Sequence, residues 1–146
     1  MIYYKSRKKM STKVTITATV HADVQKVWDY YTIPEHITKW NFADSSWQCP
    51  FAVNDMRVGG TYLAIMEAKD GSFGFDFEAI YDEIIDGELF TYTMPNGRQV
   101  TVVFKKNSNQ TEVTITFDPE TEHPIEVQKN GWQAILNNFK QYVETN

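Results

Sequence analysis

Few side chains in this 146-residue sequence have the type and spacing that catalysis or metal binding requires. The three histidines, His21, His36 and His123, each fall at the edge of a periodic segment with no companion at ligand spacing. No metal site and no cofactor is expected from them. Cys49 is the single cysteine, which excludes an internal disulfide, and its place before Pro50 among aromatics reads as packing. Asp55 and Arg57 precede Gly59-Gly60 and can either pair to fix a loop or set a polar anchor at a cavity mouth. Glu83 falls by strand alternation on the side of Tyr81 and Phe77. A carboxyl in such company would have a raised pKa and is the one candidate general acid or base. With Tyr81 or Tyr62 as hydrogen-bond donor, it would suit a cyclisation, dehydration or hydrolysis of a bound aromatic substrate.

The aromatic residues form a larger constellation: 9 Phe, 8 Tyr and 4 Trp. Alternation directs Tyr62, Met66, Phe75, Phe77, Tyr81, Phe90, Tyr92 and Phe104 towards a closing helix, which answers with Gln128, Trp132 and Ile135. Trp40, Trp47, Met56 and Arg57 come from the loops at one end. Rings alone would make an ordinary core. The hydroxyls of Tyr62, Tyr81 and Tyr92 and the Gln128 amide are instead sparse polar groups in an apolar concavity, the pattern of a small-molecule site. Unfilled core costs roughly 24 cal/mol per Å³, so a pocket at the low end of the usual range, about 300 Å³, carries a cost of about 7 kcal/mol. That compares with a whole domain's stability of about 5–15 kcal/mol, so a modest, partly closed pocket is expected.

These residues must be held by elements that the hydrophobic periods define. Val14, Ile16, Ala18 and Val20 alternate with threonines as a half-buried strand. From Asp23 the period becomes helical, with Val24, Val27, Trp28 and Tyr31 on one face, and Pro34 opens a second short helix that ends near Trp40. A meander of strands follows, Tyr62 to Ala68, Phe73 to Ile85, Leu89 to Thr93, Gln99 to Lys105 and Val113 to Phe117, joined by turns such as Asp70-Gly71 and Pro95-Asn96-Gly97. Pro124 starts a closing helix whose stripe runs from Ile125 through Gln128, Trp132, Ile135, Leu136, Phe139 and Tyr142 to Val143, with Gly131 inside it. Short turns make the sheet antiparallel, and only the last helix is long enough to cover its apolar face. The expected fold class is α+β, a curved antiparallel sheet of about six to seven strands wrapped on a long C-terminal helix.

Composition sets the outer bounds. A net charge of −5 argues against a dedicated nucleic-acid binder. No apolar run approaches the roughly 20 residues of a membrane helix, and the first ten residues lack the apolar core of a secretory signal. One domain over residues 11–146 is expected, behind a frayed basic extension at 1–10, in a cytoplasmic protein that is a monomer or weak homodimer.

Several short segments, in this order and spacing, resemble the START-related helix-grip superfamily, and within it the domain similar to the C-terminal part of the activator of heat-shock protein 90 ATPase. They are Val27-Trp28, Pro34-Glu35-His36-Ile37 with Trp40, Asp55 to Gly60, Asp70-Gly71, Phe77 to Ile84, and Gly131-Trp132 with Ile135-Leu136. Ala79 stands where such sequences usually carry glycine. The resemblance implies a hydrophobic cavity between sheet and helix and a place in the stress response. Three roles are compatible with it: a carrier or sensor of a small apolar, aromatic or lipid-like ligand, an interaction module with a chaperone partner, and a cavity enzyme. For the second, the acidic strand face of Asp76, Glu78 and Asp82 is the candidate surface.

Overall fold

The computed structural model describes residues 12–146, and the basic extension lies outside the described residues. Strand β1 (Val14–Val20) buries every second residue, as its alternation requires. Helix α1 (Val24–Thr32) is capped by the Asp23 carboxylate, which accepts the amide protons of Gln25 and Lys26. Helix α2 (Pro34–Trp40) follows at once, with proline in its first turn. Six strands come next: β2 (Trp47–Asn54), β3 (Thr61–Ala68), β4 (Gly74–Ile85), β5 (Leu89–Thr93), β6 (Gln99–Asn107) and β7 (Gln110–Phe117). Helix α3 (Ile125–Thr145) closes the chain.

All seven strands form one antiparallel sheet in the order β1-β7-β6-β5-β4-β3-β2. The meander runs β2 to β7, and β1 joins its far edge beside β7. Helices α1 and α2 therefore bridge the two edge strands, and α3 lies across the concave face. This is the helix-grip arrangement.

Strand β2 is absent from the sequence periodicity, which leaves Trp47 in a loop. Pro50 and a register shift between Gln48 and Phe51 interrupt the alternation, and an edge strand tolerates both. Phe73 falls outside β4 and is 71% exposed, because the hairpin at Asp70-Gly71 takes one more residue than the alternation allots. The glycine pair before β3 has a steric reason. A Cβ at Gly60 would stand 2.1 Å from the Asp55 carbonyl oxygen, and Gly59 has φ +85°. The two glycines also tie this loop to β4: Gly59 N donates to Tyr81 O and Tyr81 N donates to Gly60 O.

The tightest packing is under the C-terminal half of α3. Leu136, Phe139 and Val143 are buried there against β1, β7, α1 and α2, and Phe139 meets Tyr31 and Trp40 edge-on with centroids 4.9 Å apart. Ile125 and Val127 in the first turns of α3 are exposed. The helix is clamped at one end and stands off the sheet at the other.

Candidate functional cavity

Beneath the raised end of α3 lies a cavity of about 410 Å³. Its floor is the concave face of β3 to β5, with Tyr62, Met66, Phe75, Phe77, Tyr81, Phe90 and Tyr92, together with Ile115 of β7. Its roof is α3, with Val127, Gln128, Gly131, Trp132, Ile135 and Leu136. Tyr31, Trp40, Asn41 and Ala43 close the inner end, while Arg98, Glu120 and His123 stand at the other. Phe75 and Val127 are 52% and 56% exposed although both line the space, so the mouth lies between the β3–β4 hairpin and the start of α3.

The rings of the wall pack against one another. Trp132 stacks on Phe117 with centroids 4.2 Å apart and meets Phe77 edge-on at 6.1 Å. Tyr62, Tyr92 and Phe90 form a stacked row, with successive centroids about 6 Å apart. Trp40 is held from behind: its indole N–H donates to Tyr30 O at 2.9 Å, and its carbonyl accepts the Asn138 amide at 2.8 Å.

Four phenols face this space. Tyr81 OH donates to Asn54 Oδ1 at 2.6 Å, and Tyr62 OH accepts from Asn41 Nδ2 at 3.3 Å. Tyr31 and Tyr92 have no hydroxyl partner among the described residues. Burial raises the pKa of all four, and the neighbouring Tyr31 raises Tyr62, Tyr81 and Tyr92 further. They therefore stay protonated across the physiological range and present O–H donors in an apolar surround.

At the outer end the polar groups divide into satisfied and unsatisfied ones. Gln128 Oε1 accepts Glu120 N at 2.8 Å, and its Nε2 donates to the carbonyls of Glu120 (3.0 Å) and His123 (2.8 Å). The amide expected to meet a ligand is thus used to hold the loop before α3. The Glu120 carboxylate accepts the amides of Glu122 and His123 and the His123 Nδ1 at 2.8 Å. These bonds keep Glu120 below the usual carboxylate range and raise His123. Arg98 differs from them: its Nε is buried without a hydrogen-bond partner among the described residues. An orphaned donor of this kind costs about 1–3 kcal/mol.

Of the fourteen residues expected to line a site, the structure brings eleven to the cavity: Trp40, Tyr62, Met66, Phe75, Phe77, Tyr81, Phe90, Tyr92, Gln128, Trp132 and Ile135. The other three lie elsewhere. Trp47 begins β2 and packs with Cys49 and Met66. Met56 is partly buried against the main core. Arg57 is 77% exposed and pairs with Asp55 at 2.8 Å, the loop-fixing arrangement rather than an anchor at the cavity. Tyr31, Asn41, Arg98, Glu120 and His123 line the cavity without having been singled out. Alternation back from Val100 and Val102 would have placed Arg98 on the inner face.

Glu83 requires the largest correction. The β4–β5 register shifts between Tyr81 and Glu83, so Tyr81 pairs with Tyr92, but Glu83 pairs with Thr91 and Ile84 with Phe90. Asp82 is the extra residue of a bulge. Directly opposed residues share a face, so Ile84 turns inward with Phe90 and Glu83 is exposed on the convex side with Thr91. It has no access to the cavity and cannot serve as an acid or base there. Among the described residues no cluster of His, Cys, Asp and Glu could hold a metal ion, and no helix is long and apolar enough to cross a membrane.

A curved seven-stranded sheet gripping a long helix over an aromatic cavity defines a START-related helix-grip protein. The chain belongs to the family described as Activator of Hsp90 ATPase homolog 1-like protein, which it matches over residues 21–144. Among solved structures it is similar to the AHSA1-like protein of Aeromonas hydrophila, at 39% identity and a TM-score of 0.86, over 92% of this chain and 93% of that one. A protein of Cytophaga hutchinsonii is 46% identical at a TM-score of 0.80, again over 92% and 93%. A Chromobacterium violaceum protein at 22% identity and a TM-score of 0.82, over 92% and 99%, shares the fold. No curated protein matches the chain.

Proposed function

We propose that this protein binds one small, largely apolar, ring-bearing or lipid-like molecule between the sheet and the raised end of α3, as a carrier or sensor. The observation that carries this reading is a pair of phenols, the half-buried Tyr31 and the buried Tyr92, which line the cavity and whose hydroxyls have no hydrogen-bond partner among the described residues. Hydroxyls that open onto an apolar cavity are the sparse polar groups by which a small-molecule site orients its ligand. A volume of about 410 Å³ suits one compact molecule and falls in the lower part of the usual range of about 300–1,000 Å³.

Thermal shift with a panel of lipids and phenolics, beside a titration with the neutral fluorophore N-phenyl-1-naphthylamine, tests this reading. A ligand at 100 times its Kd adds about 2.7 kcal/mol. At about 2–4 °C per kcal/mol the melting point should rise by roughly 5–11 °C. If the fluorophore shows no saturable binding and no compound moves the melting point, the cavity is not a binding site.

The family description favours a second reading, a chaperone partner that would dock outside the cavity. The exposed acidic residues Asp76, Glu78 and Asp82 on the outer face of β4 are the surface it would use.

A further inference from the structure

Arg98 brings a guanidinium to the outer end of a largely aromatic cavity, beside Glu120 and His123. Strand β6 directs Val100, Val102 and Phe104 into the concave face, and the same alternation sends Arg98 inward one step before the strand begins. Its backbone is fixed at the close of the β5–β6 turn: Met94 N donates to Arg98 O at 2.8 Å, and Arg98 N donates to Asn96 Oδ1 at 3.1 Å. The side chain lines the cavity, with Nε buried and unpartnered among the described residues.

The neighbouring acids make no hydrogen bond or salt bridge to it, although its charge helps to lower the Asp118 carboxyl. Asp118 is paired with Lys13 and accepts the Gln99 amide at 2.9 Å. Glu120, in the same cavity, has both carboxylate oxygens engaged by the amides of Glu122 and His123 and by the His123 ring. Neither forms an ion pair with Arg98. A guanidinium with an unused N–H edge beside an apolar cavity matches the two-point geometry of a carboxylate.

We propose that the ligand is an amphipathic carboxylate, its apolar body among the rings of Phe77, Tyr92 and Trp132 and its carboxylate paired with Arg98. This specifies the ligand class of the cavity reading above and rests on it. A singly charged carboxylate fits better than a phosphate dianion, because each further charge drawn into an apolar space must be desolvated.

The test measures displacement of N-phenyl-1-naphthylamine from the full chain by decanoate and by 2-naphthoate, each beside its neutral primary amide. One pair represents alkyl acids and the other aryl acids, so their ranking also assigns the body of the ligand. In the unsubstituted protein at least one acid should bind at least tenfold more tightly than its amide. In Arg98→Gln that preference should fall below twofold, and Arg98→Lys should retain part of it. Equal affinity for acid and amide in the unsubstituted protein, with the fluorophore bound, overturns the carboxylate and leaves the cavity reading intact. Survival of the full preference in Arg98→Gln overturns the role of Arg98. Failure of the fluorophore and of all four compounds to bind removes the cavity reading, and this inference with it. The acid-to-amide comparison needs no variant, so a fold defect in Arg98→Gln does not shield the proposal.

Discussion

Gly131 offers the most direct probe of the space beneath α3. It lies three and four residues after Gln128 and Val127 and four before Ile135, all of which line the cavity, and it lines the cavity itself. A Cβ built on it meets nothing within 4 Å, and its backbone is helical. The glycine is therefore not there to admit a neighbouring backbone. In a helix interior it costs about 1 kcal/mol against alanine, with no packing reason visible to offset that cost. Gly131→Ala should stabilise the fold by about 0.5–1 kcal/mol. At about 2–4 °C per kcal/mol the melting point should rise by roughly 1–4 °C. Gly131→Leu should gain similarly in helix propensity while directing its side chain into the cavity. It should keep or raise the melting point yet weaken N-phenyl-1-naphthylamine binding at least tenfold. Differential scanning calorimetry and the fluorophore titration read the two quantities separately. A densely packed interior would behave in the opposite way, since forcing extra methylenes into it costs about 1–3 kcal/mol. A Gly131→Leu protein that melts several degrees lower, or that binds the fluorophore as before, refutes the reasoning.

Two further outcomes follow from groups away from the cavity. Burial acts to raise the pKa of Glu144, but hydrogen bonds from Lys140 and from the His21 backbone and ring outweigh it and hold the carboxyl down to about 2. A depressed carboxylate contributes stability that is complete above its ordinary value of 4.5 and is lost as pH falls from there through about 2. Melting temperatures taken between pH 6 and pH 2 should therefore fall less steeply in Glu144→Gln, and parallel slopes would exclude this clamp on α3. Glu83→Gln should leave melting within about 0.5 kcal/mol of the original and fluorophore affinity unchanged; a tenfold change in affinity would put Glu83 back in the cavity.

Legibility in the sequence tracks how regularly each segment repeats. β1 and the C-terminal half of α3 read directly because nothing interrupts their periods, and their buried residues are the expected ones. The aromatic floor was legible for the same reason on β3, β5 and the first part of β4. Reading failed wherever one residue was added to a strand. Alternation has a period of 2, so a single bulged residue reverses every later side chain. The bulge at Asp82 thus sent Glu83 outward and Ile84 inward, and the irregularity between Gln48 and Phe51 concealed β2 altogether. Partnering was illegible for a different reason. Gln128 and Arg98 are both polar and both line the cavity. Only the fold reveals that the Gln128 amide is used on the loop at Glu120 and His123 while the Arg98 Nε is left without a partner among the described residues.

That difference bears on how a fold of this size keeps a space of about 410 Å³. Applied to a sealed, dry void, the mutational scale of roughly 24 cal/mol per Å³ gives about 10 kcal/mol, comparable with a typical domain's entire stability of about 5–15 kcal/mol. The cavity here is neither sealed nor uniformly apolar. Its mouth is bounded by the half-exposed Phe75 and Val127, and its outer end carries Arg98, Glu120 and His123. Solvent can reach such a space, so the dry-void cost does not apply in full. Tight packing is concentrated instead where Leu136, Phe139 and Val143 meet Tyr31, Trp40 and β1, and this anchors α3 at one end only. The helix can then stand away from the sheet over its first two turns, before Trp132 stacks on Phe117, without loosening the core. In the empty state solvent must border the aromatic floor, and a molecule that covers those rings removes apolar surface from water without having to displace the core. The division of α3 into an anchored half and a raised half is therefore what makes binding and stability separable, and it is why substitutions at Gly131 should move one without lowering the other.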